Sequence, residues 1–394
     1  MTFAPSPSPA PKVPRQIWAL GFVSLLMDVS SEMIHALLPV YLVTVLGVSF
    51  AEVGWIEGLA EATASIVKIF SGAVSDWLGR PKLLAVVGYG LAALVKPIFP
   101  LAGGAGGIVA ARFLDRVGKG IRGAPRDALV ASISPPSLLG ASIGLRQTLD
   151  TVGAFLGPLA AVALMWATSN HYRAVFWAAV LPAFGAVAML AFGVREQQRA
   201  ARPGRFPLRW SQIKTLPPMY WQVVGVAAVF GLARFSEAFL ILKAQAVGLP
   251  VALAPMVLVV MNVIYAGAAY PVGALSDVVG RRGLLALGFG VLIAADLALA
   301  FAGTLWLAAL GVALWGLHMG LTQGLLSALV ADTTPEGRRG VAYGVYNLAS
   351  GVAMLLGSAL AGYLWDASGP QAAFLGDAAL ASGALALLLG RRPV

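Results

Sequence analysis

The sequence predicts an all-α, polytopic membrane protein of twelve transmembrane helices in two pseudo-symmetric six-helix bundles. Three observations predict it: the hydropathy of the whole chain, apolar runs of bilayer length, and a repeat of the first half in the second. Of 394 residues, 59% are hydrophobic and only 11% charged, against about 25% charged in a soluble domain. The mean hydropathy is +0.83. Water is not the solvent of most of this chain.

A helix rises about 1.5 Å per residue and must cross about 30 Å of hydrocarbon, so each crossing needs about twenty apolar residues. Such runs lie near 17–46, 53–74, 83–102, 105–131, 139–166, 173–193, 219–247, 252–274, 284–303, 305–331, 340–364 and 371–390. Several contain Pro or Gly, which membrane helices tolerate when neighbours satisfy the freed backbone groups. Residues 1–16, rich in Pro and Ser, read as a disordered cytoplasmic tail. The first apolar stretch is too long and too acidic for a cleaved signal peptide. Residues 195–218, rich in Arg, Gln and Pro, read as a cytoplasmic linker between bundles at 17–194 and 219–394.

Lys and Arg are retained on the cytoplasmic side of short loops. Of 27 such residues, sixteen lie in the termini and even-numbered loops, among them Arg80, Lys82, Arg281, Arg282, Arg338 and Arg339. The odd loops hold only Arg173. Both termini are expected in the cytoplasm of a bacterial-type inner membrane.

The repeat appears when the chain is offset against itself. Gly72-Ala73-Val74-Ser75-Asp76-Trp77-Leu78-Gly79-Arg80 recurs as Gly273-Ala274-Leu275-Ser276-Asp277-Val278-Val279-Gly280-Arg281, each between the second and third helix of its half. At an offset of 200, Gly120, Pro135, Gly140, Gly144 and Gly157 find Gly320, Pro335, Gly340, Gly344 and Gly357. Parallel repeats of six helices imply a pseudo-twofold axis along the membrane normal with a pathway between the halves.

These residues resemble the major facilitator superfamily over essentially the whole chain after the tail. The Gly-x-x-x-Asp-x-x-Gly-Arg signature occurs twice at the matching positions. Arg116-Val117-Gly118-Lys119-Gly120 is similar to the family's Arg-x-x-x-Gly element, and Gly153-Ala154-Phe155-Leu156-Gly157-Pro158 to the Gly-x-x-x-Gly-Pro signature of its drug:proton antiporters. The resemblance implies a transporter with Arg116 as a coupling residue.

Ionisable groups inside a span are costly and face a cavity or a partner. The first half places fifteen in its spans and the second only five, Arg234, Glu237, Lys243, Asp296 and Asp377. Coupling to protons is therefore expected in the first half. Asp28 and Glu32 share a face of the first helix, and Glu57 and Glu61 a face of the second. A carboxylate in a cavity can take up and release a proton as access alternates; its competing role is a static partner for Lys68, Arg112, Arg116 or Arg146. Arg112, Arg116, Lys119 and Arg126 form one stripe of the fourth helix. Eight basic against seven acidic groups in these spans favour mutual pairing.

Asp28, Glu32 and Arg116 are thus the expected proton-coupling set. Glu57, Glu61, Arg112, Arg146, Asp150, Asn262, Tyr265 and Gln323 are the expected cavity wall. Gly72, Asp76, Gly79 and Arg80, with Gly273, Asp277, Gly280 and Arg281, suit gates at the helix ends. Gly153 and Gly157 offer a close-packing face and Pro158 a bend, expected to pack the fifth helix against the other half.

Other function classes fit poorly. There are no cysteines, which removes thiolate chemistry and cysteine zinc sites. His35, His171 and His318 lack a metal-ligand spacing, and Met256, Met261 and Met319 suit packing, so no metal or cofactor is expected. The net charge of +10 flanks apolar runs and does not form a nucleic-acid footprint. The expected activity is alternating-access, proton-coupled efflux of drug-like amphiphiles by a monomer. The alternative is a proton-coupled importer of a small organic anion, and a remote rival is a membrane-embedded lipid-modifying enzyme.

Overall fold

The computed structural model describes residues 13–196, 213–335 and 338–390, and all of their side chains except those of Asp76 and Asp277. Most of the expected tail and linker, at 1–12 and 197–212, lies outside them. Every described element is helical, and each of the twelve predicted spans coincides with helix.

In the first half the spans are Arg15–His35 with Leu38–Thr44, then Phe50–Leu78, Pro81–Val95 with Ile98–Leu101, Ala105–Ile133, Leu139–Ala167 and Tyr172–Gly193. In the second they are Pro218–Leu232 with Ala238–Ala246, then Met256–Val279, Arg281–Ala300, Leu305–Asp332, Arg339–Ser368 and Pro370–Leu389. Nine of the described helical segments are long and apolar enough to cross a membrane on composition alone. The second and fourth spans carry too many charges for that test, and the seventh is broken.

Local chemistry sets the ends and breaks. Ser49 caps the second span in a reciprocal box with Glu52, satisfying N–H groups that a helix start leaves open. Pro39 has no N–H to give, so the first helix stops at His35 and restarts at Leu38; Pro97 interrupts the third span in the same way. Gly79 and Gly280, at equivalent loops, both take positive φ, +62° and +85°, which only glycine adopts without strain.

The repeat is three-dimensional. Gly88 packs on Arg122 as Gly288 packs on Thr322, Gly120 on Val67 as Gly320 on Ala268, and Gly157 on Glu32 as Gly357 on Leu232. Each pair recurs 200 or 201 positions later, so the same interhelical approaches build both bundles.

One expectation about packing is corrected. Gly153 and Gly157 lie against Leu25, Asp28, Val29 and Glu32 of the first span, in their own half. Small residues let two backbones approach, and here the approach closes the first bundle. The fifth span meets the eighth, and the turn Val251–Leu253, through its other face.

The halves join most tightly at the odd-loop end. Gly54, Gly58 and Gly362 leave no room for a Cβ against Ser358, Leu355 and Phe50 across the seam. Phe50 stacks on Trp365 with ring centroids 4.9 Å apart, and Asp366 accepts from the N–H groups of Phe50 and Ala51. Toward the even loops, Gly140 and Gly144 of the fifth span and Gly267 and Gly273 of the eighth face open space. The tightest approaches between the halves thus lie toward the odd loops, and the second and eleventh spans stay in contact further along, where Gly351 meets Ser65 and Gly344 meets Ile69.

Candidate functional site

At mid-depth, a cavity of about 190 Å³ lies between the halves, with Glu32, Glu61, Arg116 and Lys119 on one wall and Arg234, Glu237 and Asn262 on the other. It meets a second cavity of about 230 Å³ in the second half, lined by Phe230, Gln323, Tyr346, Asn347 and Ser350 among others. Arg234 and Met354 belong to both.

The first-half wall is a chain of buried ion pairs. Arg116 reaches Glu61 at 3.1 Å, Arg112 donates to Glu57 at 2.6 Å, and Lys96 holds Asp115 at 2.9 Å. Asp28 lies 3.8 Å from Arg122. Arg146 pairs with Asp150, which also faces Arg126 at 3.5 Å. In a low-dielectric interior such pairs offset the desolvation of each ion only when both partners stay.

His35 joins two of these groups. Its Nδ1 lies 3.4 Å from Glu32 and its Nε2 3.6 Å from Glu57. Glu32 lines the cavity, whereas Glu57 is completely buried, so the imidazole spans from the cavity to the interior. It stands on the last residue of the first helix, at the break before Pro39.

The structure therefore gathers Glu32, Glu61, Arg116 and Asn262 at the cavity, with Gln323 in the adjoining one. Glu57, Arg112, Asp28, Arg146 and Asp150 stand behind or beside that wall as ion-pair partners. Tyr265 packs against the apolar core. Among the gate residues, Arg281 pairs with Asp332, Gly72 touches Ala124 and Gly273 faces open space; Asp76 and Asp277 lie outside the described side chains.

Sequence reasoning missed His35, Arg234 and Glu237. His35 follows Glu32 by three residues on one helical face, a signal visible in the sequence. Arg234 and Glu237 stood out as rare charges in the second half, but the break that carries them did not. That break, between Leu232 and Ala238, contains no proline. Its backbone is held by Ser358, whose hydroxyl accepts from the Ser236 N–H at 3.0 Å, and by the Ser236 hydroxyl, which accepts from Ala238 N–H at 3.3 Å.

The Major Facilitator Superfamily profile matches residues 20–261 and 237–394. An uncharacterised MFS-type transporter of Methanocaldococcus jannaschii is 32% identical over 388 residues, 95% of each chain. The inner membrane transport protein YajR of Escherichia coli is 25% identical over 380 residues, covering 93% of this chain and 81% of YajR. The crystal structure of the nucleoside transporter NupG superposes with a TM-score of 0.80 at 11% identity, over 95% of this chain and 99% of that one.

Proposed function

Because the chain belongs to the Major Facilitator Superfamily, and so is a multi-pass membrane transporter and not an enzyme, we propose that it couples proton movement to export of an amphiphilic organic solute by alternating access. In this reading the bundles at 17–194 and 219–394 rock about the seam between them. The basic even loops lie in the cytoplasm of an inner membrane, with both termini on that side, so the present conformation is open inward. One chain contains both walls of the pathway and works as a monomer.

The single observation that carries the reading is the Glu32, His35 and Glu57 series beside Arg116. It supports the reading because a carboxylate on the cavity wall, an imidazole and a fully buried acid follow one another at 3.4 and 3.6 Å. We assign proton uptake and release to Glu32, relayed by His35, with Asp28 as an auxiliary acid and Arg116 as the switchable partner. When Glu32 takes a proton, the charge balance around Arg116 and Glu61 changes, and the seam's preference between its two closed faces changes with it. Glycine-terminated loops at Gly79 and Gly280 act as the cytoplasmic gates. The Gly153 to Pro158 segment supports assignment to the drug:proton antiporter branch.

Proteoliposomes of the purified chain test this. A ligand that stabilises the protein in a thermal screen is applied under an imposed pH gradient; export predicts proton movement opposite to the solute. Movement of both in one direction instead supports proton-coupled import, and solute flux indifferent to protons ends the coupling proposal. Glu32→Gln is expected to keep counterflow and lose proton-driven accumulation.

A further inference from the structure

We infer that the cavity beside the break in the seventh span binds the carboxylate of an amphiphilic organic anion, with Arg234 as its charge partner. The inference rests on the transporter reading and names the class of solute. The first-half arginines expected in the cavity wall and the coupling set are already engaged: Arg112 with Glu57, Arg116 with Glu61 and Arg146 with Asp150. Arg234 has no carboxylate within 4.0 Å among the described residues. Glu237, three residues on, faces the neighbouring cavity.

Arg234 has a neutral partner in place of a charged one. With the Gln323 amide turned so that its oxygen faces the guanidinium, that oxygen accepts from both terminal nitrogens, at 3.3 and 2.6 Å. An amide oxygen orients the guanidinium without cancelling its charge, and leaves N–H groups of a five-donor fork for a ligand. Among the described residues lining the 230 Å³ cavity, Arg234 is the only charged one. The remaining lining divides into hydrogen-bonding groups, Tyr346, Asn347 and Ser350, and apolar groups, Phe230, Leu326 and Met354. A solute with one anionic end and an apolar or aromatic body satisfies both sets.

Topology points to the same place independently. The seventh span breaks at 233–237 and the first at 36–37, positions 200 apart in the repeat. Irregular backbone at membrane depth is tolerated where it lines a cavity, and paired interruptions in corresponding helices of two halves mark the binding site of a transporter. The first-half break carries His35 and the proposed proton path; the second-half break carries Arg234 and the anion.

The test measures thermal unfolding of the purified full chain with benzoate, naphthoate and biphenylcarboxylate, each beside its neutral amide. At least one carboxylate is expected to raise the unfolding midpoint, with its amide ineffective. Arg234→Gln should weaken that carboxylate by about tenfold or more, and Arg234→Lys should keep part of the preference. Should Arg234→Gln fail to fold, an Asn347→Cys reporter in this otherwise cysteine-free chain replaces it: a bound carboxylate slows maleimide labelling and its amide does not. Equal effects of carboxylates and amides, equal effects of sodium chloride, or an unchanged preference in Arg234→Gln would each overturn the proposal. Arg234-dependent binding without proton-linked flux in proteoliposomes would leave this site standing and remove the coupling reading alone.

Discussion

The Asp366 carboxylate, in the last turns of the eleventh span, accepts a 2.8 Å hydrogen bond from the backbone N–H of Ala51 in the second span. A second bond, from Phe50 N–H at 3.1 Å, completes the pair. The first N–H groups of a helix have no partner of their own and carry the positive end of its dipole. Asp366 therefore supplies from one half the acceptor that a helix start in the other half lacks. In the alternating-access reading proposed above, this contact breaks when the odd-loop face opens.

Asp366→Asn keeps the shape and removes the charge, so it should shift the population toward opening on that face. Gly362→Ala should do so more strongly, because its new Cβ would strike the Phe50 carbonyl. Accessibility of single cysteines introduced near Phe50 checks both, and unchanged labelling would show that this contact does not hold the face shut.

Glu57 and Arg112 form a pair that is 0% and 2% exposed. Removing Arg112 leaves Glu57 buried with only the His35 imidazole, 3.6 Å away, so Arg112→Met is expected to destabilise by about 3 kcal/mol. Glu57→Met with Arg112→Met should recover most of that loss. Thermal unfolding of the two variants in detergent measures it, and a double variant no better than the single would mean that the pair's packing outweighs its charge.

His35→Gln retains bulk and hydrogen-bonding capacity at the first-span break but cannot accept and pass a proton. Ligand binding should persist within about threefold, well inside a 1.4 kcal/mol change, while proton-driven accumulation is lost. If accumulation continues at the native rate, the path does not run through this imidazole.

Asp296 and Asp377 form an acid pair between the ninth and twelfth spans, away from the cavity. They are 0% and 3% exposed, and neither carboxylate oxygen of Asp296 has a hydrogen-bond partner among the described residues. A buried carboxyl group without partners costs its desolvation. Asp377→Asn should therefore raise the unfolding free energy by about 1 kcal/mol or more, and a lower midpoint at neutral pH would contradict this.

The number of spans, the two related halves and the concentration of charge in the first were all legible in the sequence. Each depends on a short-range or periodic property: apolar run length against a bilayer of given thickness, or a register of small residues and Gly-Arg loops repeated 200 or 201 positions on. Helix faces were legible too, since Asp28 with Glu32 and Glu57 with Glu61 follow from helical spacing.

Partnership was decided only in three dimensions. Nothing in the spacing says that Arg112 takes Glu57 and Arg116 takes Glu61, because both stripes offer equivalent pairings until the second and fourth spans settle their relative height. Nor does the sequence show that Gly153 and Gly157 face the first span, since a small-residue face declares close packing without naming its neighbour. The break at Arg234 needed the tertiary structure most of all. It has no proline, and its backbone is irregular because Ser358 and the close approach of Gly357 to Leu232 hold it so. A helix dictated by local sequence would have turned Arg234 to another face, and only packing between the seventh and eleventh spans leaves its charge in the cavity.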